Sequence, residues 1–327
     1  MEKGTLGELF LTRSVTKHIR KHNKKLSFGA GVGKDYSFIA GELEGIVMTE
    51  GWGTTPILAW TKAMNNFSVS GGTAIGVRLL FLMPETIQES ELKGYMTEFN
   101  QLADGSLIQI MGGHTQVGEE YRTPSFVVTA LGKSGTWRPD IKGISEGDSI
   151  IMTKYAGLLG TDLLITGSRD KLRERFSDSY INGGIFGEKD YSVSKEASLV
   201  SKLIGNVTYM HDVSCGGVYG ALWQLGVAIN KGINISHFDI PIKQETIEFC
   251  EQFDINPYML EGTGSLLMVA KHGEDVVQCL ETEGFFARII GKVTGDKERT
   301  VSLGTDSEKR FLAPVKGDEI YKVVSAY

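Results

Sequence analysis

The sequence predicts a protein of two domains, each built from both helices and strands. Its 327 residues, 41% of them hydrophobic and 23% charged, are enough for two hydrophobic cores. Apolar residues recur at helical spacing in some segments, and short β-branched runs lie between these segments. A polar, turn-rich stretch at residues 133–148 separates two such series. We therefore expect one domain at residues 1–145 and a second at residues 146–327.

The first series begins with a strand that leads into a capped helix. We predict strands at residues 46–50, 75–83, 107–111 and 126–131. After the first strand, Thr55 supplies a capping oxygen, and Pro56 suits the first helical turn because its missing N–H is not needed there. This helix is expected to end near Gly71, and a second helix is expected at residues 88–103. The last two strands have no helix between them, so the arrangement is not a strict parallel repeat.

The second series has the same alternation. We predict strands at residues 149–153, 207–210, 233–236, 265–270 and 287–293. Helical patterns lie at residues 195–203, 218–229, 244–253 and 274–281. The second domain is therefore expected to be α/β. Residues 169–190 are interpreted as a loop that carries substrate contacts, with mobility suggested by Asn182-Gly183-Gly184.

The composition argues against several classes of protein. A formal charge of −6 provides no bulk attraction for nucleic acid. The longest strongly apolar run, residues 75–83, contains Arg78 and is far shorter than the ~20 residues of a membrane-spanning helix. The N-terminus does not resemble a signal peptide, and the three cysteines are widely spaced without a CxxC pair. We expect a cytoplasmic protein with reduced thiols.

Glycine is abundant, with 41 residues against seven prolines, and it lies beside polar side chains in four segments. These are Gly29–Asp35, Met48–Gly51, Met111–Thr115 and Met210–Gly217. Glycine-rich backbone exposes N–H groups that can cradle phosphate oxygens. The first segment has neither the spacing of a Walker loop nor the third glycine of a dinucleotide fingerprint, so a flexible turn is the alternative interpretation there.

Three side chains of the first half are candidates for binding a cation and phosphates. Glu50 and His114 each end a predicted strand, where open αβ sheets place ligand-binding groups. Asp35 is a third candidate, and Mg²⁺ prefers one or two carboxylates together with substrate oxygens. The alternatives are a solvated or capping role for each carboxylate and a hydrogen-bonded structural role for His114.

The fourth segment places polar side chains just before a predicted helix. His211, Asp212, Ser214 and Cys215 precede Gly216-Gly217, and a helix N-terminus can accept an anion. Cys215 is either a nucleophile activated by the helix or a small buried thiol. A zinc site from His211 and Cys215 lacks further ligands at useful spacing.

In order along the chain, these segments resemble the aminoimidazole ribonucleotide synthetase (PurM-like) superfamily of ATP-binding proteins, which includes HypE, thiamine-monophosphate kinase and selenophosphate synthetase. Four segments of the first half resemble the motifs G-x-G-[DE]-D, T-D-[GS]-[FW], N-D-[IL]-A and G-G-D-T, namely Gly31–Asp35, Met48–Trp52, Met64–Ser68 and Gly112–Thr115. Three segments of the second half resemble the HypE-like branch, namely Gly157–Thr161, Met210–Gly217 and Gly262–Leu267.

The resemblance implies an α+β fold with an N-terminal mixed-sheet domain, which dimerises into a barrel, and a C-terminal α/β domain. It implies a homodimer that binds ATP with Mg²⁺. The nucleotide-binding residues would be Gly31, Gly33, Lys34, Asp35, Glu50, Asn66, Gly112, Gly113, His114 and Thr115. Asp35, Glu50 and His114 would lie near the metal, and Asp212 and His114 would be catalytic.

The sequence departs from the family pattern at three acidic positions. Glu50 replaces an aspartate and keeps its charge on a longer arm, whereas Asn66 and His114 each remove a hard anionic oxygen. An imidazole suits Mn²⁺, Zn²⁺ or Fe²⁺ better than Mg²⁺, so Mn²⁺ is the alternative metal. A protonated His114 can instead donate directly to a phosphate. The chain ends in Val323–Tyr327 without the C-terminal cysteine of HypE, so we do not expect the HypE reaction itself.

These observations favour a HypE-like ATP-binding enzyme that activates an amide or acid oxygen by phosphoryl transfer and releases ADP and phosphate. Its acceptor would be a small molecule or a group carried by a protein. The alternative is a catalytically degenerate dimer that binds a nucleotide or metabolite and acts as a partner or sensor. A third hypothesis is a metal sensor that uses His114, His211 and Cys215.

Overall fold

The computed structural model describes residues 12–13, 26–28, 32, 34, 36–39, 45–304 and 308–324. These residues divide into two units. The N-terminal unit contains residues 26–28 and the described part of 36–136. The C-terminal unit contains residues 137–324 apart from 305–307, together with residues 12–13, 32 and 34. The division follows Thr136 because the next segment is attached to the C-terminal unit. Trp137 is buried and its Nε1 donates to the Val207 oxygen at 2.8 Å.

The N-terminal unit contains a six-stranded mixed sheet with the order β1-β2-β3-β6-β4-β5. Its strands are β1 (Leu26–Phe28), β2 (Ser37–Ile39), β3 (Ile46–Gly53), β4 (Thr73–Met83), β5 (Gln109–Val117) and β6 (Ser125–Lys133). Neighbouring strands are antiparallel except β4 and β5, which are parallel and are joined by a helix. This arrangement confirms that the unit is not a strict parallel repeat.

Two helices, α1 (Pro56–Ser68) and α2 (Glu89–Ser106), accompany this sheet. The Thr55 side chain accepts a hydrogen bond from the Leu58 N–H, as the capping pattern predicts. α1 packs closely on β3 because Gly51 has no side chain there, and a Cβ atom at Gly51 would overlap the backbone of Ala63. The Phe126 ring contacts both Phe81 and Phe99, with centroids 5.0 and 5.6 Å away.

The opposite face of the sheet is open in the unit. Along β3 the side chains alternate, so that Val47 and Thr49 are buried while Met48, Glu50 and Trp52 point outward. Ile46, Met48 and Trp52 are 47%, 42% and 43% exposed, which is unusual for large apolar side chains that lie together on one sheet face. This open face carries Glu50 of β3 and His114 of β5, whose partner Leu80 also lies on it.

The C-terminal unit contains a seven-stranded sheet with the order β13-β12-β9-β11-β7-β10-β8. Its strands are β7 (Ser149–Thr153), β8 (Val207–Asp212), β9 (Gly232–Ser236), β10 (Leu266–Ala270), β11 (Ala287–Thr294), β12 (Arg299–Ser302) and β13 (Lys309–Phe311). Its helices are α3 (Leu158–Arg173), α4 (Asp178–Gly183), α5 (Ser194–Val200), α6 (Gly217–Ile229), α7 (Gln244–Gln252) and α8 (Gly273–Thr282). The mixed helix and strand architecture with two sheets is the predicted fold class.

One interpretation of the sequence is wrong in this unit. Residues 169–190 were expected to form a mobile loop, but they contain the end of α3 and all of α4. The following turn is also held in place, because the Asp162 carboxylate accepts hydrogen bonds from Phe186 N, Gly187 N and the Tyr191 hydroxyl. In the described part of the chain, no helix is long and apolar enough to cross a membrane.

Candidate functional site

Glu50 lies in a row of side chains that crosses the open face of the N-terminal sheet. The register pairs Glu50 with Thr129, Thr129 with Arg78, and Arg78 with Gly112. The Thr129 hydroxyl donates to Glu50 Oε1 at 3.1 Å. The Arg78 guanidinium lies over Gly112, since a Cβ atom at Gly112 would be 3.9 Å from Arg78 Nη1. The row therefore places one exposed carboxylate and one exposed guanidinium on the same surface.

Arg78 was not among the site residues predicted from the sequence, in which it interrupts an apolar run. The signal available in the sequence was a single charge within a strand that is otherwise apolar. Among the residues that the structure describes, no carboxylate forms an ion pair with Arg78. A guanidinium that is not neutralised by the protein can bind a phosphate or carboxylate in a bidentate manner.

His114 lies on the edge strand β5, far from Glu50 in the same chain. The register pairs His114 with Leu80, which pairs with Val127, which pairs with Trp52. Three strand spacings thus separate β5 from β3, on the order of 14 Å. One chain does not bring Glu50 and His114 together around one ion, contrary to the metal site expected from sequence. His114 Nε2 lies 3.4 Å from Gln116 Oε1.

Asn66 supports Glu50 through the backbone. Its Nδ2 donates to the Glu50 carbonyl oxygen at 2.8 Å, which ties the last turn of α1 to β3. An ionised aspartate has no proton to donate there, so the amide is suited to this contact. Thr49 makes a second link between the two elements, from its hydroxyl to the Ala63 oxygen at 2.9 Å. Asn66 therefore positions the strand that carries Glu50.

The two glycines of β5 have different roles. Gly112 has a φ of +132°, which L side chains rarely adopt. A Cβ atom at Gly113 would overlap the Leu79 carbonyl oxygen, so Gly113 allows β5 to pair closely with β4. The neighbouring Thr115 is exposed and pairs with Phe81. The structure thus explains Gly113 by strand packing, without a phosphate.

The N-terminal glycine segment is only partly described. Gly31, Gly33 and Asp35 lie outside the described residues. Lys34 is described, is exposed and groups with the C-terminal unit.

In the C-terminal unit, the three glycine-containing segments of the HypE-like pattern come together. The Gly160 N–H donates to the Glu261 oxygen at 2.8 Å, and the Gly262 N–H donates to the Ser214 oxygen at 3.1 Å. Asp212, the last residue of β8, is buried and pairs with Leu266. The segments around residues 160, 214 and 262 therefore form one continuous cluster at one end of the neighbouring strands β7, β10 and β8.

The N-terminus of α6 was expected to accept an external anion, but the protein supplies its own. Asp318 Oδ2 accepts from the Gly216 N–H at 2.6 Å, and Oδ1 accepts from Glu261 N at 3.1 Å and Ile320 N at 2.9 Å. Burial, and next the neighbouring Glu261 carboxylate, raise the pKa of Asp318 to about 7. Asp318 thus links the segment around residue 214 to the segment around residue 262.

Cys215 lies beside this carboxylate. Its Sγ and carboxylate oxygens of Glu261 and Asp318 lie within 4.8 Å of one another, the one group of potential metal ligands found among the described residues. Glu261 Oε1 already accepts from the Thr263 hydroxyl at 2.6 Å. His211, which the sequence did not favour as a zinc ligand beside Cys215, has its Nε2 3.0 Å from Gln224 Oε1.

Lys154 holds the segment Gly262–Leu267 in position. It was not predicted from the sequence as a site residue. Its Nζ donates to the oxygens of Asp190, Ser192 and Gly264 at 3.1, 2.6 and 2.9 Å. The same ammonium forms a 2.6 Å ion pair with the buried Glu196. The available signal was a single lysine directly after the buried strand β7. Its three carbonyl partners could not be deduced, because they lie 36, 38 and 110 residues away along the chain.

Comparisons with known proteins agree with this organisation. Residues 145–304 match the family described as AIR synthase related protein, C-terminal domain. A hydrogenase expression/formation protein of Methanocaldococcus jannaschii is 25% identical over 280 residues, which cover 81% of this chain and 78% of that protein. Carbamoyl dehydratase HypE of Escherichia coli is 23% identical over 251 residues, covering 73% and 70%.

Solved structures show the same fold for nearly the whole chain. HypE in a HypE–HypF complex has a TM-score of 0.74 at 19% identity, covering 94% of this chain and 98% of that one. HypE in complex with ATP has a TM-score of 0.69 at 15% identity, covering 95% of both. The resemblance predicted from the sequence is thereby confirmed: residues 145–304 match the AIR synthase related C-terminal domain, and the chain is similar to HypE proteins and shares their PurM-like fold.

Proposed function

We propose that this protein is a HypE-like enzyme that binds ATP and activates an amide or acid oxygen by phosphoryl transfer. The acceptor oxygen would attack the γ-phosphorus, the bond from that phosphorus to the β–γ bridging oxygen would break, and ADP would leave. With an amide acceptor, loss of phosphate and of the two N–H protons would leave a carbon–nitrogen triple bond; with an acid acceptor, a nucleophile would replace the phosphate on the activated carbon. The relatives named HypE, one of them a carbamoyl dehydratase and one solved with ATP, support this reaction class.

The row on the open sheet face is the observation that carries the proposal. Phosphoryl transfer needs positive charge around the phosphates and a hard oxygen ligand for a divalent cation. Arg78 supplies a guanidinium beside Gly112, where no side chain obstructs a phosphate. Glu50 supplies an exposed carboxylate, and only one of its oxygens accepts a hydrogen bond from a described side chain. The residues present therefore fit a nucleotide with its cation.

The remaining sequence-predicted residues have supporting roles in this proposal. When bound, Mg²⁺, or Mn²⁺ as the alternative, would neutralise phosphate charge. Asn66 positions the Glu50 backbone, and His114 donates to a phosphate when protonated. Asp212 would orient the acceptor. Gly31, Gly33, Lys34 and Asp35 would complete the phosphate site in the way that the family motif implies.

The proposal includes a homodimer formed through the open sheet face. Ile46, Met48 and Trp52 expose apolar surface on either side of Glu50, and a second copy of this face would bury it. A dimer would also provide a second His114. Because the Glu50 and His114 of one chain are far apart, a site that uses both would need two chains.

Nucleotide binding is tested by calorimetry with ATP and Mg²⁺ on the full chain. We expect Arg78→Gln to weaken binding at least ~10-fold, since it removes a charged hydrogen-bond donor worth about 1.5–3 kcal/mol. Asp35→Ala and Glu50→Gln should weaken the binding as well. The matched control is Arg122→Gln, an exposed arginine of the 118–124 connection. Equal affinity of the wild-type, Arg78→Gln and Asp35→Ala proteins would overturn the proposal.

A catalytically degenerate nucleotide-binding protein is the second candidate function. It is favoured by Asn66 and His114, because the first uses its amide in a structural hydrogen bond and neither provides a carboxylate. ADP release measured with Mg²⁺ and with Mn²⁺, in the presence of carbamoyl and carboxylic acid acceptors, separates the two functions. Tight ATP binding without ADP release under all these conditions would support the degenerate protein.

A further inference from the structure

The C-terminal unit contains a cavity of about 400 Å³ that does not include the residues discussed above. Its walls come from α6, the turn at residues 256–259, strands β12 and β13, and residues 312–315. A volume of this size lies within the usual range for small-molecule sites. Neither the Glu50 row nor the cluster of Cys215, Glu261 and Asp318 lines it.

One wall of the cavity is a fixed group of aromatic rings. The rings of Tyr219 and Tyr258 are stacked, with centroids 5.2 Å apart and planes 17° apart. His237 lies against Tyr258 with a centroid distance of 4.6 Å. The Tyr219 hydroxyl and His237 Nδ1 are hydrogen-bonded at 2.9 Å. Since these contacts hold the rings in place, a flat ligand could stack on them with little loss of side-chain entropy.

The charge of the cavity comes from Arg310. Arg310 pairs with Val301 across β12 and β13, and both residues line the cavity. No aspartate or glutamate is among the lining residues, and no described carboxylate forms an ion pair with Arg310. Burial, and next the positive charge of Arg310, lower the pKa of His237, so its imidazole is neutral at neutral pH.

The two tyrosine hydroxyls also stay uncharged. Burial raises the pKa of Tyr219 and of Tyr258, so both hydroxyls remain protonated in the physiological range. Most other walls are apolar, including Leu303, Leu312 and Val315. The cavity therefore has a flat aromatic wall, other walls that are mostly apolar, and one guanidinium that no described carboxylate neutralises.

We propose that this cavity binds a small ligand with a flat, mostly apolar ring system and one anionic group, either a carboxylate or a phosphate. The ring would stack on Tyr258 and Tyr219, and the anion would pair with Arg310, whose planar fork matches both groups. A cationic ligand would be repelled by the guanidinium. The site is independent of the proposed nucleotide site, because it shares no residue with it.

The experiment measures the affinity of the full chain for three probes with the same naphthalene ring. These are 2-naphthoate, 2-naphthyl phosphate and the neutral 2-naphthamide, titrated by ligand-observed NMR. We expect at least one anion to bind ~10-fold more tightly than the amide, the ratio that a charge-assisted hydrogen bond provides. The two anions distinguish a carboxylate ligand from a phosphate ligand.

Variants locate the binding in the cavity. Arg310→Gln should abolish the preference for the anion, whereas Lys309→Gln, an exposed neighbour on β13 that does not line the cavity, should preserve it. Tyr258→Leu should weaken the binding of all three probes. Circular dichroism checks that each variant is folded. Equal affinity for the three probes, no binding of either anion, or an unchanged preference in Arg310→Gln would each overturn the proposal.

Discussion

Asn66 has a structural role in the candidate site, because its amide holds the backbone of Glu50 in place. The family motif has an aspartate at this position, and the sequence alone indicates only a lost carboxylate. The structure shows that the amide donates to the Glu50 carbonyl oxygen, a contact that an ionised carboxylate cannot make. The amide at this position therefore attaches α1 to β3.

Asn66→Asp should destabilise the protein by about 1–3 kcal/mol, because the Glu50 carbonyl oxygen loses its donor and faces a negative charge. Urea denaturation of the two proteins measures the difference. The control is Asn100→Asp, the same chemical change at an exposed position of α2, which should alter stability by less than about 0.5 kcal/mol. Equal effects of the two substitutions would contradict the structural role of the amide.

Asp318 makes stability depend on pH with a definite sign. Its pKa is raised in the folded protein to about 7 from a usual value of 3.8, so between these values the folded state holds a proton that the unfolded state has released. This contribution to stability is complete below the unfolded pKa and is lost as the pH rises through about 7. The Asp318 contribution should thus make the protein less stable at pH 8 than at pH 5.

Asp318→Asn should flatten this part of the pH dependence, since an amide does not titrate. Urea midpoints from pH 5 to pH 8 measure the slope in each protein. Asp104→Asn, at an exposed position in α2, should leave the slope unchanged. A slope in Asp318→Asn equal to that of the wild type would show that other groups, such as Glu261, govern the dependence.

At the scale of elements, the open sheet face depends on how closely β5 pairs with β4. The strands are parallel, and their register places Gly113 opposite Leu79. Gly113 was expected to cradle a phosphate, but the position allows no side chain because of the Leu79 oxygen. Glycine in this segment is thus required by strand packing before any ligand is considered.

Gly113→Ala should destabilise the N-terminal unit by about 2 kcal/mol or more, because the new methyl group forces β5 away from its hydrogen bonds. Gly94→Ala is the matched control, since a Cβ atom there meets nothing within 4 Å in the interior of α2. That change should stabilise the protein by roughly 0.5–1 kcal/mol. Chemical denaturation of both variants tests the pair, and a neutral Gly113→Ala would refute the packing argument.

At the scale of the whole molecule, the proposed homodimer would bury the exposed apolar residues of β3 against a second copy of the chain. Met48→Glu places a charge in the proposed dimer interface, and we expect it to convert a dimer into a monomer in sedimentation velocity experiments. The control Ile204→Glu changes an apolar residue that is 65% exposed in the C-terminal unit and should leave the assembly unchanged. A wild-type protein that sediments as a monomer would exclude this interface.

Elements with a strong local signal were predicted well from the sequence. The helix expected from Pro56 is α1, the strand expected at residues 75–83 lies within β4, and the helix expected at residues 218–229 is α6. The first begins at a capping threonine, the second is a long apolar run, and the third begins at a glycine and has a clear apolar period. The helix α3 was missed because its interior contains Gly160, Gly167 and Ser168, which weaken the helical pattern, and its burial in the core decides its structure.

The sequence by itself indicated the resemblance to the PurM-like superfamily and the two parts built from helices and strands, because motif order and apolar periodicity are local properties of the chain. Only the tertiary structure decided which candidate residues meet. Strand register separates Glu50 from His114 and brings Arg78 into the row with Glu50, and no local pattern specifies a register. Similarly, Asp318 contacts Gly216 from 102 residues away, so the occupant of that helix end depends on how the chain folds back.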